Sequence, residues 1–67
     1  MEHGTITTLQ VNKGYGFISS HGEDYFFHFR DLAEGLEFGE MLMERRVRFT
    51  VVTTPRGNRA VGVSADE

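Results

Sequence analysis

The sequence predicts an all-β protein, a small five-stranded antiparallel barrel, on three observations. Five short segments, "TITTLQV", "YGFIS", "YFFHF", "VRFTVVTT" and "RAVGVS", carry β-branched or aromatic residues in extended patterns. Turn formers punctuate them: "SHGED", with Gly22 at its centre, and "TTPRGNR", with Pro55 and Gly57, each read as a hairpin connection. The third observation is size. A chain of 67 residues without a long helical segment has nothing to cover the apolar face of a flat sheet, so the sheet must curl on itself. A closed or nearly closed barrel of the OB type meets that need, with an SH3-like barrel as the nearest alternative.

Taken in order, "TITTLQV" is the first strand, and "YGFIS" and "YFFHF" pair antiparallel through the "SHGED" turn. Residues 31 to 45 follow. "LEFGEMLMERR" has helical character but is interrupted by Gly35 and Gly39, which leaves a long loop with room for one helical turn. "VRFTVVTT" and "RAVGVS" then form a second hairpin whose loop bears arginine. The reading places one domain over residues 1–67, with its core over about 4–64. Side chains alternate along a strand, and Ile6, Ile18, Phe27, Leu32, Val47, Phe49, Val51 and Val63 supply a consistent interior.

Composition bounds the function. With no cysteine there is neither a disulfide framework nor a thiolate zinc site, which suits a reducing compartment. No apolar run approaches the roughly 18 residues of a membrane span. The opening "MEHGTITT" lacks both parts of a secretion signal, so the expected location is cytoplasmic. A net charge of −3 disfavours a nucleic-acid partner held by charge alone. The charges are segregated, however: Asp31, Glu34, Glu37, Glu40 and Glu44 form an acidic stretch, and Arg45, Arg46, Arg48, Arg56 and Arg59 follow as a basic one.

The inner set leaves Tyr15, Phe17, Phe26 and His28 outside. Aromatic stripes on strands are ordinarily core, but His28 shares its face with Phe26 and would be costly to bury without a partner. Gly14 and Gly16 would waste volume in a core, whereas beside an exposed ring they would let a flat ligand approach the backbone. Exposed rings on adjacent strands form a platform for unpaired bases, each worth about 1–3 kcal/mol.

These residues resemble the cold-shock domain family. "KGYGFI" at 13–18 is similar to its first nucleic-acid-binding motif, usually Lys-Gly-Phe-Gly-Phe-Ile, and "YFFHF" at 25–29 to its second, Val-Phe-Val-His-Phe. The similarity runs from Gly4 and Thr5 through "VRF" at 47–49 to "RGNRAVGV" at 56–63. An RNA-recognition motif also uses a Lys-Gly-Tyr-Gly-Phe element, but it needs two helices and places its companion motif first. The resemblance implies single-stranded RNA or DNA binding with modest sequence preference, often by a nucleic-acid chaperone or regulator. By position, it implies stacking roles for Tyr15, Phe17, Phe26, His28 and Phe29 and a backbone contact for Lys13. Strict alternation would send Phe29 inward unless the strand end twists. Phe38 is similar to the family's loop phenylalanine if one residue is inserted between Leu32 and Phe38; its other role is a buried staple for the loop.

The departures are specific. Where the family has Lys-Trp-Phe-Asn in its first strand, this chain has Thr7, Thr8, Leu9 and Gln10, losing a cation and the largest ring. That implies binding weaker than the family norm by about 1–3 kcal/mol. Asn58 and Arg59 replace a Pro-Gln pair, and Arg56 and Arg59 could compensate through phosphate or cation–π contacts. Catalysis would have to use His28 with Asp24 or Asp31, and a barrel this small has little volume for the pocket. The spacing of His3, His21 and His28 matches no common metal pattern. A protein-interaction module of the same fold is the alternative function, with a monomer, no cofactor, no metal and no small-molecule substrate expected in either case.

Overall fold

The computed structural model describes residues 1–33 and 35–66. Five strands, β1 (Glu2–Gln10), β2 (Tyr15–Ser20), β3 (Glu23–His28), β4 (Arg46–Thr54) and β5 (Gly57–Ala65), close into a barrel in the order β1-β2-β3-β5-β4. Four neighbouring pairs run antiparallel, and β3 meets β5 in parallel with Phe26 opposite Arg59. Closure therefore requires one parallel seam, which no hairpin signal could announce. The expected first hairpin turns at His21 and Gly22, both at positive φ (51° and 82°), as a tight type I′ connection demands. The second turns at Pro55 and Arg56, with Thr54 opposite Gly57.

The long loop holds two single 3-10 turns, Phe29–Asp31 and Glu40–Leu42. The first takes Phe29 out of the third strand. The second drives Leu42, 3% exposed, into the buried core cluster. Glu34 of the acidic stretch lies outside the described residues.

Ile6, Ile18, Phe27, Val47, Phe49 and Val63 are wholly buried as expected, while Leu32 and Val51 are only half-buried against them. Tyr25, Leu42 and Ala60 complete the interior. Two bulges explain why inward residues sit three apart in two strands. In β1, Ile6 faces Ile18 and Thr8 faces Phe17, so Thr7 is the extra residue and both Ile6 and Leu9 turn inward. In β5 the register slips between Ser64 and Val61, where Gly62 takes the left-handed φ of 60°, and both Ala60 and Val63 reach the core.

Candidate nucleic-acid interface

Register decides which rings face outward. On the β2–β3 hairpin Gly16 opposes Phe27 on the inner face, while Phe17 opposes Phe26 and Tyr15 opposes His28 on the outer one. Tyr15, Phe17 and Phe26 form one cluster, with ring centroids 5.5–6.1 Å apart and both Phe17 contacts edge-on. Such pairs stiffen one another by about 0.5–1.5 kcal/mol each. All three rings, and His28, are half-buried.

The reason for the two glycines differs from the expectation. A Cβ on Gly16 would lie 2.5 Å from the Thr8 carbonyl oxygen and 2.9 Å from Phe27 Cε1, so its bare backbone admits the neighbouring strand and an interior ring, not a ligand. Gly14 takes a φ of 80° in the β1–β2 turn, and a Cβ there would press on the Phe29 ring at 3.0 Å.

A second group of rings adjoins the first. His28 and Phe29 lie 4.4 Å apart, and Phe29 is 6.3 Å from Phe38. Phe29 leaves the strand because the chain turns there: its N–H donates to the Gly14 carbonyl at 2.9 Å, and the ring is 44% exposed. Phe38 packs on Phe27 at 6.4 Å as well, so it staples the loop to the core and also borders the exposed rings. Arg30 covers Phe29, its Cζ 5.7 Å from the ring centroid.

His28 and Asp31 cap the first 3-10 turn reciprocally. The Arg30 N–H donates to His28 Nδ1 at 3.3 Å, and the His28 N–H donates to Asp31 Oδ2 at 2.8 Å. An accepting Nδ1 leaves the proton of a neutral imidazole on Nε2, available as an outward donor. Asp31 thus bonds the backbone of His28 instead of its ring, and Asp24 lies four residues back along β3, about 13 Å away. The histidines are dispersed: His3 Nδ1 bonds Asp66 at 2.9 Å, and His21 Nε2 lies 3.8 Å from Glu2.

Of the basic candidates, Lys13 is exposed in the β1–β2 turn and Arg56 at the tip of the second hairpin. Arg59 is held. Its Nε–H and Nη2–H donate to the two oxygens of Asp31 at 2.9 and 3.1 Å, and its Cζ lies 5.9 Å from the Phe26 centroid. Together with Phe17, Phe26 and residues 54–58 it lines an open groove of about 590 Å3. Sequence reasoning missed Asp31 as the partner of Arg59, because the two lie 28 positions apart and only the parallel seam joins them. It placed Thr8 where a ring is absent, and Thr8 indeed stands exposed beside Phe17.

Comparison with known proteins agrees with this geometry. The family model described as 'Cold-shock' DNA-binding domain matches residues 2–65. A probable cold shock protein A of Mycolicibacterium smegmatis is 32% identical over 65 residues, covering 94% of this chain and 96% of the relative. The cold shock protein CspA of Staphylococcus aureus is 38% identical over 68 residues, with the same coverage of 94% and 96%. Among solved structures, one described as drosophila Unr CSD456 superposes with a TM-score of 0.76 at 26% identity; it covers 98% of this chain, which spans 26% of that longer one.

Proposed function

The chain belongs to the cold-shock domain family, whose members generally bind nucleic acid, and from that premise we propose that it binds single-stranded RNA or DNA by stacking unpaired bases on the rings of its central hairpin. The observation that carries the reading is the register: Phe17 opposite Phe26 and Tyr15 opposite His28 on the outer wall, with Gly16 and Phe27 turned in. Tyr15, Phe17, Phe26, His28, Phe29 and Phe38 offer flat surfaces, while Lys13, Arg56 and Arg59 border them with positive charge. Stacking tolerates any base, which suits a protein that keeps strands unpaired or regulates them. Affinity is below the family norm, because Thr8 offers no ring beside Phe17. The protein acts in the cytoplasm, as a monomer, and binds without catalysing a reaction.

The test is a titration of tyrosine fluorescence with oligothymidine and with a mixed-sequence RNA strand at several salt concentrations. Saturable quenching, with log K falling by about 0.7 per phosphate neutralised for each decade of salt, is the expected result. A flat signal at high micromolar strand would overturn the reading and turn attention to a protein partner for the same wall.

A further inference from the structure

If the platform is the base-stacking surface, the contact between Arg59 and Asp31 has a role in choosing the base. The Asp31 side chain is only 10% exposed, and its Oδ2 also receives the His28 N–H at 2.8 Å, so the carboxylate is anchored to the 3-10 turn. It engages Arg59 along one edge of the guanidinium, through Nε and Nη2. A guanidinium has five N–H donors in a rigid planar fork. Two are spent on Asp31. Of the three left, one on each terminal nitrogen point the same way and form a second fork at the far end. The Arg59 side chain stays 40% exposed, and the residue lines the groove beside Phe17 and Phe26. A base stacked there meets a donor pair whose direction the carboxylate has already fixed, so little further ordering is needed on binding.

We propose that Arg59, oriented by Asp31 and lying over Phe26, reads the edge of a base stacked on Phe17 in the same groove and gives the platform a preference for guanine at that one position. Guanine presents O6 and N7 as adjacent acceptors on one edge, the partner a two-donor fork fits. Thymine offers a single carbonyl beside a methyl group there, and adenine sets an amino donor next to N7. Asp31 is a positioning residue; it touches the arginine, not the base.

The experiment compares an oligothymidine with the same strand carrying one guanine at each position in turn, and with 7-deazaguanine at the best position. The wild-type chain should bind the best guanine strand about tenfold more tightly than oligothymidine, near the low end of what a bidentate base contact is worth. Loss of N7 should abolish that gain. Arg59→Lys keeps the charge but not the fork and should bring the two strands to equal affinity; Asp31→Asn should shrink the ratio, a readout that general loosening of the turn does not move. A protein that binds oligothymidine and gains nothing from guanine overturns the inference and leaves the platform reading intact. So does a gain that survives 7-deazaguanine or Arg59→Lys, or an equal gain from cytosine. Absence of binding to oligothymidine would sink the platform reading and this inference with it.

Discussion

Replacing Thr8 with tryptophan should tighten single-strand binding. Thr8 is exposed and stands directly opposite Phe17. Opposed residues of an antiparallel pair hold their Cβ atoms about 4.5–5.5 Å apart. An indole at this position would abut Phe17, whose ring lies 5.8 Å from Phe26 and 6.1 Å from Tyr15. The three-ring cluster on β2 and β3 would become a four-ring surface reaching β1. One more stacked base is worth about 1–3 kcal/mol, less about 0.5–1.5 kcal/mol for ordering the new side chain. With like ends of the two ranges paired, the net is about 0.5–1.5 kcal/mol, roughly a two- to twelvefold lower Kd. Since the chain has no tryptophan, the new indole is its own reporter. Its emission should quench on titration with oligothymidine, and calorimetry should give the matching Kd. Thr50→Trp, on the outer wall of β4, controls for added stickiness and should leave Kd unchanged. A folded Thr8→Trp protein with wild-type affinity and an unquenched indole would refute the placement of bases on this wall.

Phe17→Ala should weaken oligothymidine binding by about 1–3 kcal/mol while lowering stability by about 1–3 kcal/mol, the worth of its two edge contacts. Ile18→Ala, at 0% exposure, should cost about 2–5 kcal/mol, a large part of the roughly 3–10 kcal/mol a domain this size has; equal losses in urea denaturation would place Phe17 in the core. Gly16→Ala should destabilise by about 1–3 kcal/mol or more, since its Cβ would meet Thr8 and Phe27 below 3 Å. Gly22→Ala meets no atom and carries only the strain of its φ, about 1 kcal/mol; the same thermal melts rank the two, and a Gly16→Ala protein as stable as wild type would return that glycine to a ligand role. Tyr25 holds its proton above the usual phenol range, chiefly because its hydroxyl donates to Glu23 at 3.1 Å, then because it is buried and near the charges of Glu23 and Glu2. The folded state therefore keeps a proton that the unfolded chain loses near pH 10, so this stabilisation is complete below that pH and is lost as pH rises through the folded value. Glu23→Gln should flatten that alkaline fall in denaturant midpoints, and ultraviolet titration of Tyr25 in a Tyr15→Phe background at the free-phenol value would contradict the assignment.

Much of the fold was legible because local rules decide it. Five β-rich runs, two turn signals and too few residues for a covering helix leave a curled sheet as the economical solution, and period-two alternation sorted Ile18 and Phe27 inward from Phe17, Phe26 and His28 outward. The family was legible for a related reason: "KGYGFI" and "YFFHF" are contiguous, and one hairpin brings them together. Alternation fails wherever a bulge adds a residue, and the expected interior set lacked Leu9 and Ala60, whose inward turns follow the slips at Thr7 and Gly62. It also put Phe29 on a strand that the reciprocal cap of His28 and Asp31 ends one residue earlier. Non-local pairing lay further out of reach. That Arg59 is clamped by Asp31 beside Phe26, and that Gly16 is bare to admit Thr8 and Phe27, depend on which strands closure makes neighbours. Sequence by itself determined the five strand segments, the two faces of the central hairpin and the kind of surface it exposes. Tertiary structure alone decided which charge is held and which glycine is crowded, because both follow from contacts between segments that no local pattern couples.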